Sequence, residues 1–476
     1  MGGRVPNESL RALLAEAGWN GAELARRVNR VAAEAGVTIT ADRRSVSFWL
    51  AGRCPRPPVP ELVAEALSRG LRRTVDVLDT GMGRHDRAAT IANRAGLGTG
   101  DVQGHAEMND WPAGSQDPVT SLSQLAPTQS RRQVLADGAA YSLSLLAVPA
   151  WADAAARKDP GSQTIPRPRQ DKPVTSGQLA VAEQMAWLFT DNDTVFGGGY
   201  ARDTLAAYLA YDIAPLLRAP APPALRTRLL SVSTELTYRC GFMCFDDEQQ
   251  SLAQHYFLIA LNLASHAGDP VAYAITLRAM SVQACSLGHQ QHALQLAETA
   301  VATGRGKLSA MRLAFMQGQV AVAAAACQDR AAALQALSSA ERRIDRATSR
   351  TGPTALAARQ VRIGDYHYAA LARQQAAVRA LLGDRRGAVT ALQDSLRYRP
   401  PGERRSRAVI TARLAESHLT LGQLDQAVHV WHEFLDDLPY LSSGRASTAL
   451  SIMRSRLLPH AANGGVKQIL ARAAAL

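Results

Sequence analysis

The residues from Arg43 to Pro58, RRSVSFWLAGRCPRPP, combine four guanidinium groups, a thiol and a cluster of prolines within 16 positions. Three chemistries fit those side chains. Arginine forks hydrogen-bond phosphates and guanine edges; a thiol flanked by cations ionises readily and responds to oxidants; a proline-rich strand docks in aromatic grooves. The thiol is the weakest candidate, because no histidine lies near Cys54 in sequence to serve as its base. For CPRPP the simpler role is a stiff lead-in to a following helix, with Pro60 in its first turn. That leaves the arginines, which suit recognition of a polyanion.

Elsewhere the groups that could do chemistry lack the context to do it. Cys54, Cys240, Cys244, Cys285 and Cys327 form no CxxC pair and read as reduced thiols of a cytoplasmic protein. Cys240 and Cys244 share one helical face, but no histidines stand at zinc-site spacing, so they are expected to be small core residues and no metal is expected. His432-Glu433 continues as Phe-Leu-Asp rather than reaching the second histidine of a zinc-protease helix. GLGTGD, residues 96–101, lacks the Lys-Ser/Thr of a phosphate loop, and no nucleophile motif has its surroundings. The chain is therefore not expected to be an enzyme, and no cofactor is expected. SRRQVL at 130–135, followed by an apolar stretch and WADAAA, has the look of a twin-arginine export signal. Such signals act at a free N-terminus, so the preferred reading is an amphipathic helix near 130–155 packing on the next domain. No apolar run reaches the roughly 18 to 20 residues of a membrane span, and no membrane partner is expected.

The elements that must hold the arginine face are helices. Of 476 residues 47% are hydrophobic but only 5% aromatic, and alanine dominates the apolar set, which favours close-packed helices over a sandwich or barrel. The fold expected is all-α, with a small N-terminal domain at 1–80, a linker at 81–175 and a helical repeat domain at 176–476. The formal charge is +12, and the first 75 residues carry 12 arginines against 7 acids, so an anionic partner is plausible where the opening stretch lies. Within that block, helix 1 is predicted at Glu8–Ala17 and helix 2 from Gly21 with Leu24, Ala25 and Val28 inward. Helix 3 is predicted at Ala41–Leu50, with Val46, Trp49 and Leu50 as its buried stripe, and helix 4 at Val59–Gly70.

From about residue 176 the pattern repeats. Ala253, Ala293, Ala333, Ala388 and Ala427 each follow a turn by about five residues and are separated by 40, 40, 55 and 39 positions. Each leads a triplet on one face, as in Ala253, Phe257 and Ala260 or Ala427, Trp431 and Phe434, and this self-similarity is the sign of stacked helical hairpins. These units resemble tetratricopeptide repeats, most clearly in LGQLDQAVHVWHEFLDDLP, although the period exceeds the usual 34 residues. Residues 176–218 are a candidate further unit and 445–476 candidate capping helices. Counting from the crossing residues, Tyr238, Arg278 and Arg373 occupy one inward place in three units, where they are candidates to hold a carboxylate or a peptide backbone. LFTDNDTVFGGGYARD, residues 188–203, is a further candidate, because a glycine-rich turn exposes backbone NH groups; the simpler reading is a joint between two helices.

The N-terminal block resembles the Cro/CI (XRE-type) helix-turn-helix: small Ala25 in helix 2, Ser-Val and Trp-Leu pairs in helix 3, then Gly-Arg and proline. The resemblance implies that helix 3 enters the major groove of double-stranded DNA, with Arg43, Arg44, Ser45, Ser47 and Phe48 at base-reading positions and Arg53 and Arg56 on phosphates. About ten extra residues, in VNRVAAEAGVTIT, separate helix 2 from helix 3, met by a longer helix 2 or by a loop. With the repeats included, the chain resembles actinobacterial, Streptomyces-type transcriptional regulators that join such a domain to tetratricopeptide-like repeats. That implies a cytoplasmic DNA-binding homodimer whose repeats sense a peptide, a small molecule or a protein partner. The competing expectation is a tetratricopeptide-like scaffold or adaptor that does not bind DNA.

Overall fold

A computed structural model describes residues 6–34, 37–71, 73–82, 117–125, 141–146, 148–156, 172–350 and 367–476. All regular structure among them is helical, as composition and periodicity predict.

Four helices build the N-terminal block: α1 (Glu8–Ala17), α2 (Gly21–Glu34), α3 (Arg43–Leu50) and α4 (Val59–Leu71). Asn7 caps α1 by accepting from the Leu10 amide, and Gly18 ends it in the left-handed region at φ 65°. Leu10, Leu24, Val28, Val46, Trp49, Leu62 and Leu67 close on one another as a single core. α2 crosses α3 at Gly21, where a Cβ would make ordinary contact with Val46 at 3.4 Å. Two expectations are corrected. α3 begins at Arg43 rather than Ala41, because Asp42 and Ser45 form a capping box that fixes the start. Leu50 is half-buried, so Val46 and Trp49 carry the stripe. The extra residues before α3 are taken up mostly by a longer α2, whose Asn29 side chain both donates to and accepts from the backbone of Ala41 at 2.8 Å. That two-bond clasp ties the chain entering α3 to the middle of α2.

The repeat region opens with α5 (Pro118–Gln124) and α6 (Trp151–Ala156) laid against it, then α7 (Ser176–Phe196), α8 (Gly198–Tyr208), a π-turn at Leu209–Ile213 and α9 (Ala214–Arg218). Five hairpins follow: α10 (Pro223–Asp246) with α11 (Gln250–Ala267), α12 (Pro270–Ser286) with α13 (Gln290–Gly304), α14 (Ala310–Ala326) with α15 (Arg330–Arg350), α16 (Tyr368–Leu381) with α17 (Arg385–Arg397), and α18 (Arg404–Thr420) with α19 (Leu424–Asp437). α20 (Gly444–Leu457) and α21 (Gly464–Ala474) close the array. The alanines that lead the repeat are all buried at the same place in the second helix of each hairpin. Small side chains there let two helix axes approach, and Gly241 does the same in α10, where a Cβ would stand 2.8 Å from the Phe257 ring. Each hairpin turn carries one residue at positive φ, five positions before that alanine: Glu248, Gly288, Gln328, Gly383 and Gly422.

The expected long linker is in part not a linker. Leu122, Tyr141, Leu143, Leu146 and Ala154 belong to the same buried cluster as the first hairpins. The Tyr273 hydroxyl donates to Pro149 O at 2.6 Å, and the Ser265 hydroxyl to Ala154 O at 2.7 Å. Instead of one helix near 130–155, the described part is a 3-10 turn at Leu143–Leu146 and the short α6. The arginine pair at 131–132 and GLGTGD lie outside the described residues.

The end of the array returns to its beginning. Arg405 of α18 and Arg239 of α10 both reach Asp193 of α7, and Arg405 and Arg445 reach Asp246. Across the same junction Ser442 N donates to Phe196 O at 2.7 Å and Gly199 N to Ser442 O at 2.8 Å. Burial alone would raise the Asp246 pKa; Arg445, Arg405 and the Gly198 amide instead hold it at about 2.

Candidate functional site

α3 is two-faced, and its sequence explains why. Val46 and Trp49 point into the core, so the intervening residues of an eight-residue helix must point out. Arg43, Arg44, Ser47 and Phe48 are exposed, Ser45 is partly so, and Arg53 and Arg56 stand exposed just beyond the helix. All seven predicted reading and phosphate positions thus lie on one short stretch, none of them buried. Phe48 is 43% exposed, with the guanidinium groups of Arg44 and Arg53 each 5.8 Å from its ring centroid. Two cations thus stand near one ring, and neither forms an ion pair with an acid among the described residues. A cavity of about 290 Å³ opens beside it between Ile39, Ser45, Phe48, Arg53 and Val59. The Ser45 amide and hydroxyl hold the Asp42 carboxyl below its usual range, so the one acid at the mouth of α3 is spent on capping. Cys54 also lies exposed, its sulfur 3.0 Å from Met82 O.

The inward residues of the repeats separate into different roles. Tyr238 is buried, stacks toward Phe242 and Phe257, and lines a cleft of about 880 Å³ with Glu183, Trp187, Arg228 and Glu235. Arg278 is buried against the Phe315 ring, 3.4 Å from its centroid, and donates to Phe315 O at 3.3 Å. Arg373 lines a separate cavity of about 270 Å³. The Arg278 charge acts on both Tyr238 and Arg373, yet the three do not line one pocket.

The glycine-rich turn at 197–199 offers no free amides to a ligand at two of its positions. Gly198 N donates to Asp246 Oδ2 at 2.9 Å and Gly199 N to Ser442 O. A Cβ on Gly198 would stand 2.4 Å from Met243 O, so glycine is needed for packing at this closing seam.

Sequence reading missed the seam between the two domains. Glu65 of α4 is buried and accepts from Arg69 Nε at 2.6 Å, while Arg69 Nη1 reaches Glu34 at 2.6 Å. The other Glu65 contact is His289 Nε2 at 3.0 Å, in the turn before α13. Tyr141 stacks on that imidazole with centroids 5.5 Å apart and planes 6° from parallel. Burial, then the Glu65 charge, pushes the Tyr141 hydroxyl well above the ordinary tyrosine range. α4 is thereby held on the repeats while α3 keeps its exposed side outward.

A family model described as the SP15 N-terminal domain matches residues 10–83, which spans the four helices and ends where their core ends at Met82. No curated protein matches the chain. No helix among the described residues is long and apolar enough to cross a membrane.

Proposed function

We propose that the protein is a cytoplasmic DNA-binding transcriptional regulator, with α3 as the helix that meets base edges and the repeat domain as the receiver of an effector. One observation carries the reading. Arg43, Arg44, Ser47 and Phe48 stand exposed on a helix anchored from behind by Val46 and Trp49, and Arg53 and Arg56 follow in the order that suits phosphate contacts. Arg43 and Arg44 are the base readers, Phe48 and the serines supply shorter contacts, and Arg53 and Arg56 set register. The effector is a peptide, a small molecule or a protein partner, and two copies of the chain bind two half-sites as a homodimer. The likeness to tetratricopeptide-containing actinobacterial regulators supports the same reading.

The test is selection of duplexes from a random library by the full chain, followed by titration against salt. Enrichment of one sequence, with affinity falling steeply as salt rises, supports the proposal. Absence of any enriched sequence contradicts it and favours the scaffold reading.

A further inference from the structure

The inner side of the later repeats holds more positive charge than the fold neutralises. Arg399 is paired with Glu403, Arg405 with Asp193 and Asp246, and Arg445 with Asp246. The guanidinium groups of Arg373 of α16 and Arg413 of α18 make no ion pair or hydrogen bond with the described residues. Both face the cavity of about 270 Å³, together with Arg385, Arg456 and a single acid, Glu416. Burial, then the charges of Arg413, Arg278, Arg399 and Arg445, pushes the Arg373 pKa down to about 9. Burial raises Glu416 against the opposing pull of Arg456 and Arg413, and it is the single acid in the lining.

Like charges gathered in one recess repel, and with Arg385, Arg413 and Arg456 exposed and Arg373 half-buried that repulsion is partly screened by water in the empty protein. Ala376, Ala380 and Ala388 form part of the lining and leave room rather than fill it. The volume suits a compact group, not an extended chain. Four arginines against one glutamate call for several negative charges in a small space, and the planar guanidinium fork matches phosphate oxygens in pairs.

We propose that this cavity is an effector site for a small ligand bearing a compact multi-anionic phosphate group, held chiefly by Arg373 and Arg413. The inference deepens the reading of the repeats as a receiver, but the site itself does not depend on DNA binding.

The test is calorimetric titration of the full chain with inorganic pyrophosphate at about 0.15 M salt, where surface charges are screened beyond roughly 8 Å. Saturable one-site binding is expected, weakened tenfold or more by Arg373→Ala and by Arg413→Ala, and only partly restored by Arg413→Lys. In the absence of ligand, Arg373→Ala should unfold at a temperature equal to or above that of the parent protein, which also shows that the variant folds. The Arg43→Ala, Arg44→Ala variant should keep its pyrophosphate affinity, so loss of DNA binding and loss of this site are separable. Absence of saturable binding, unchanged affinity in the Arg373→Ala, Arg413→Ala double variant, or equal affinity for succinate would overturn the assignment.

Discussion

The Glu65 carboxylate lies 3.0 Å from Nε2 of His289, and the two buried side chains join the N-terminal helices to the second repeat across 224 positions of sequence. Removing one partner leaves the other desolvated and unpaired. We therefore expect Glu65→Ala or His289→Ala to uncouple the N-terminal block, converting one thermal transition into two in calorimetry. A double-mutant cycle over the pair should give a coupling of about 1 to 3 kcal/mol. A coupling near zero would mean that the domains are held by the Tyr141 region alone.

Asp246 should make the closure of the repeat array sensitive to acid. Its folded pKa of about 2 lies below the unfolded value of 3.8, so its stabilising contribution is complete above about pH 4 and is lost as pH falls toward 2. The difference corresponds to about 2 kcal/mol. Asp246→Asn should lower stability at neutral pH by about 3 to 5 kcal/mol, because Arg445 and Arg405 lose their shared partner inside the protein. Urea unfolding between pH 2 and 7 checks both points: the parent should lose stability below pH 4, and the variant should show a shallower acid decline.

The hairpin turns give a conformational prediction. Gln328 holds φ 64° where Gly288 holds φ 90° at the corresponding turn, and a Cβ on Gly288 would meet nothing within 4 Å. Besides backbone preference, the sites differ in that the Gln328 side-chain amide donates to Ala325 O and Leu381 O at 3.4 Å, long contacts that offset little of the strain. Gln328→Gly should raise stability by about 0.5 to 1 kcal/mol, and Gly288→Gln should lower it by about 1 to 2 kcal/mol. Glu248, at φ 60°, is different, since its carboxylate accepts from the Thr448 hydroxyl at 2.7 Å across the closing seam. There the left-handed residue contributes a contact that glycine would remove.

How much of this could be read from the chain depends on range. The bounds of α1, with Gly18 as its stop, follow from local signals and the five repeat alanines from periodicity, so both were legible, whereas the start of α3 was read two residues early although Asp42 caps it. The length of α2 was less so, because the Asn29 clasp to Ala41 has no sequence signature. The closing network was not legible at all: Asp193, Asp246, Arg405 and Arg445 come from four separate helices, and a single sequence carries no record of which distant charges meet. The glycines at 197–199 were legible as a joint between two helices, but not the partners of their amides. The Gly197 amide donates to Asp193 O within the end of α7, and those of Gly198 and Gly199 serve Asp246 and Ser442, partners that lie 48 or more positions away.

The arginines near α3 should divide by role. Arg43→Ala and Arg44→Ala are each expected to cost about 1 to 3 kcal/mol on a preferred sequence and to relax selectivity there. Arg53→Ala and Arg56→Ala should weaken all sequences alike and lower the salt slope by about one each. Competition binding over several salt concentrations distinguishes the two patterns.

The central claim is that α3 reads DNA, and genome-wide occupancy of the full chain beside its Arg43→Ala, Arg44→Ala variant tests it most directly. The account predicts discrete sites with two half-sites about one helical turn or a multiple apart, lost in the variant while the protein remains folded. Absence of discrete sites, or full occupancy by the variant, would contradict it.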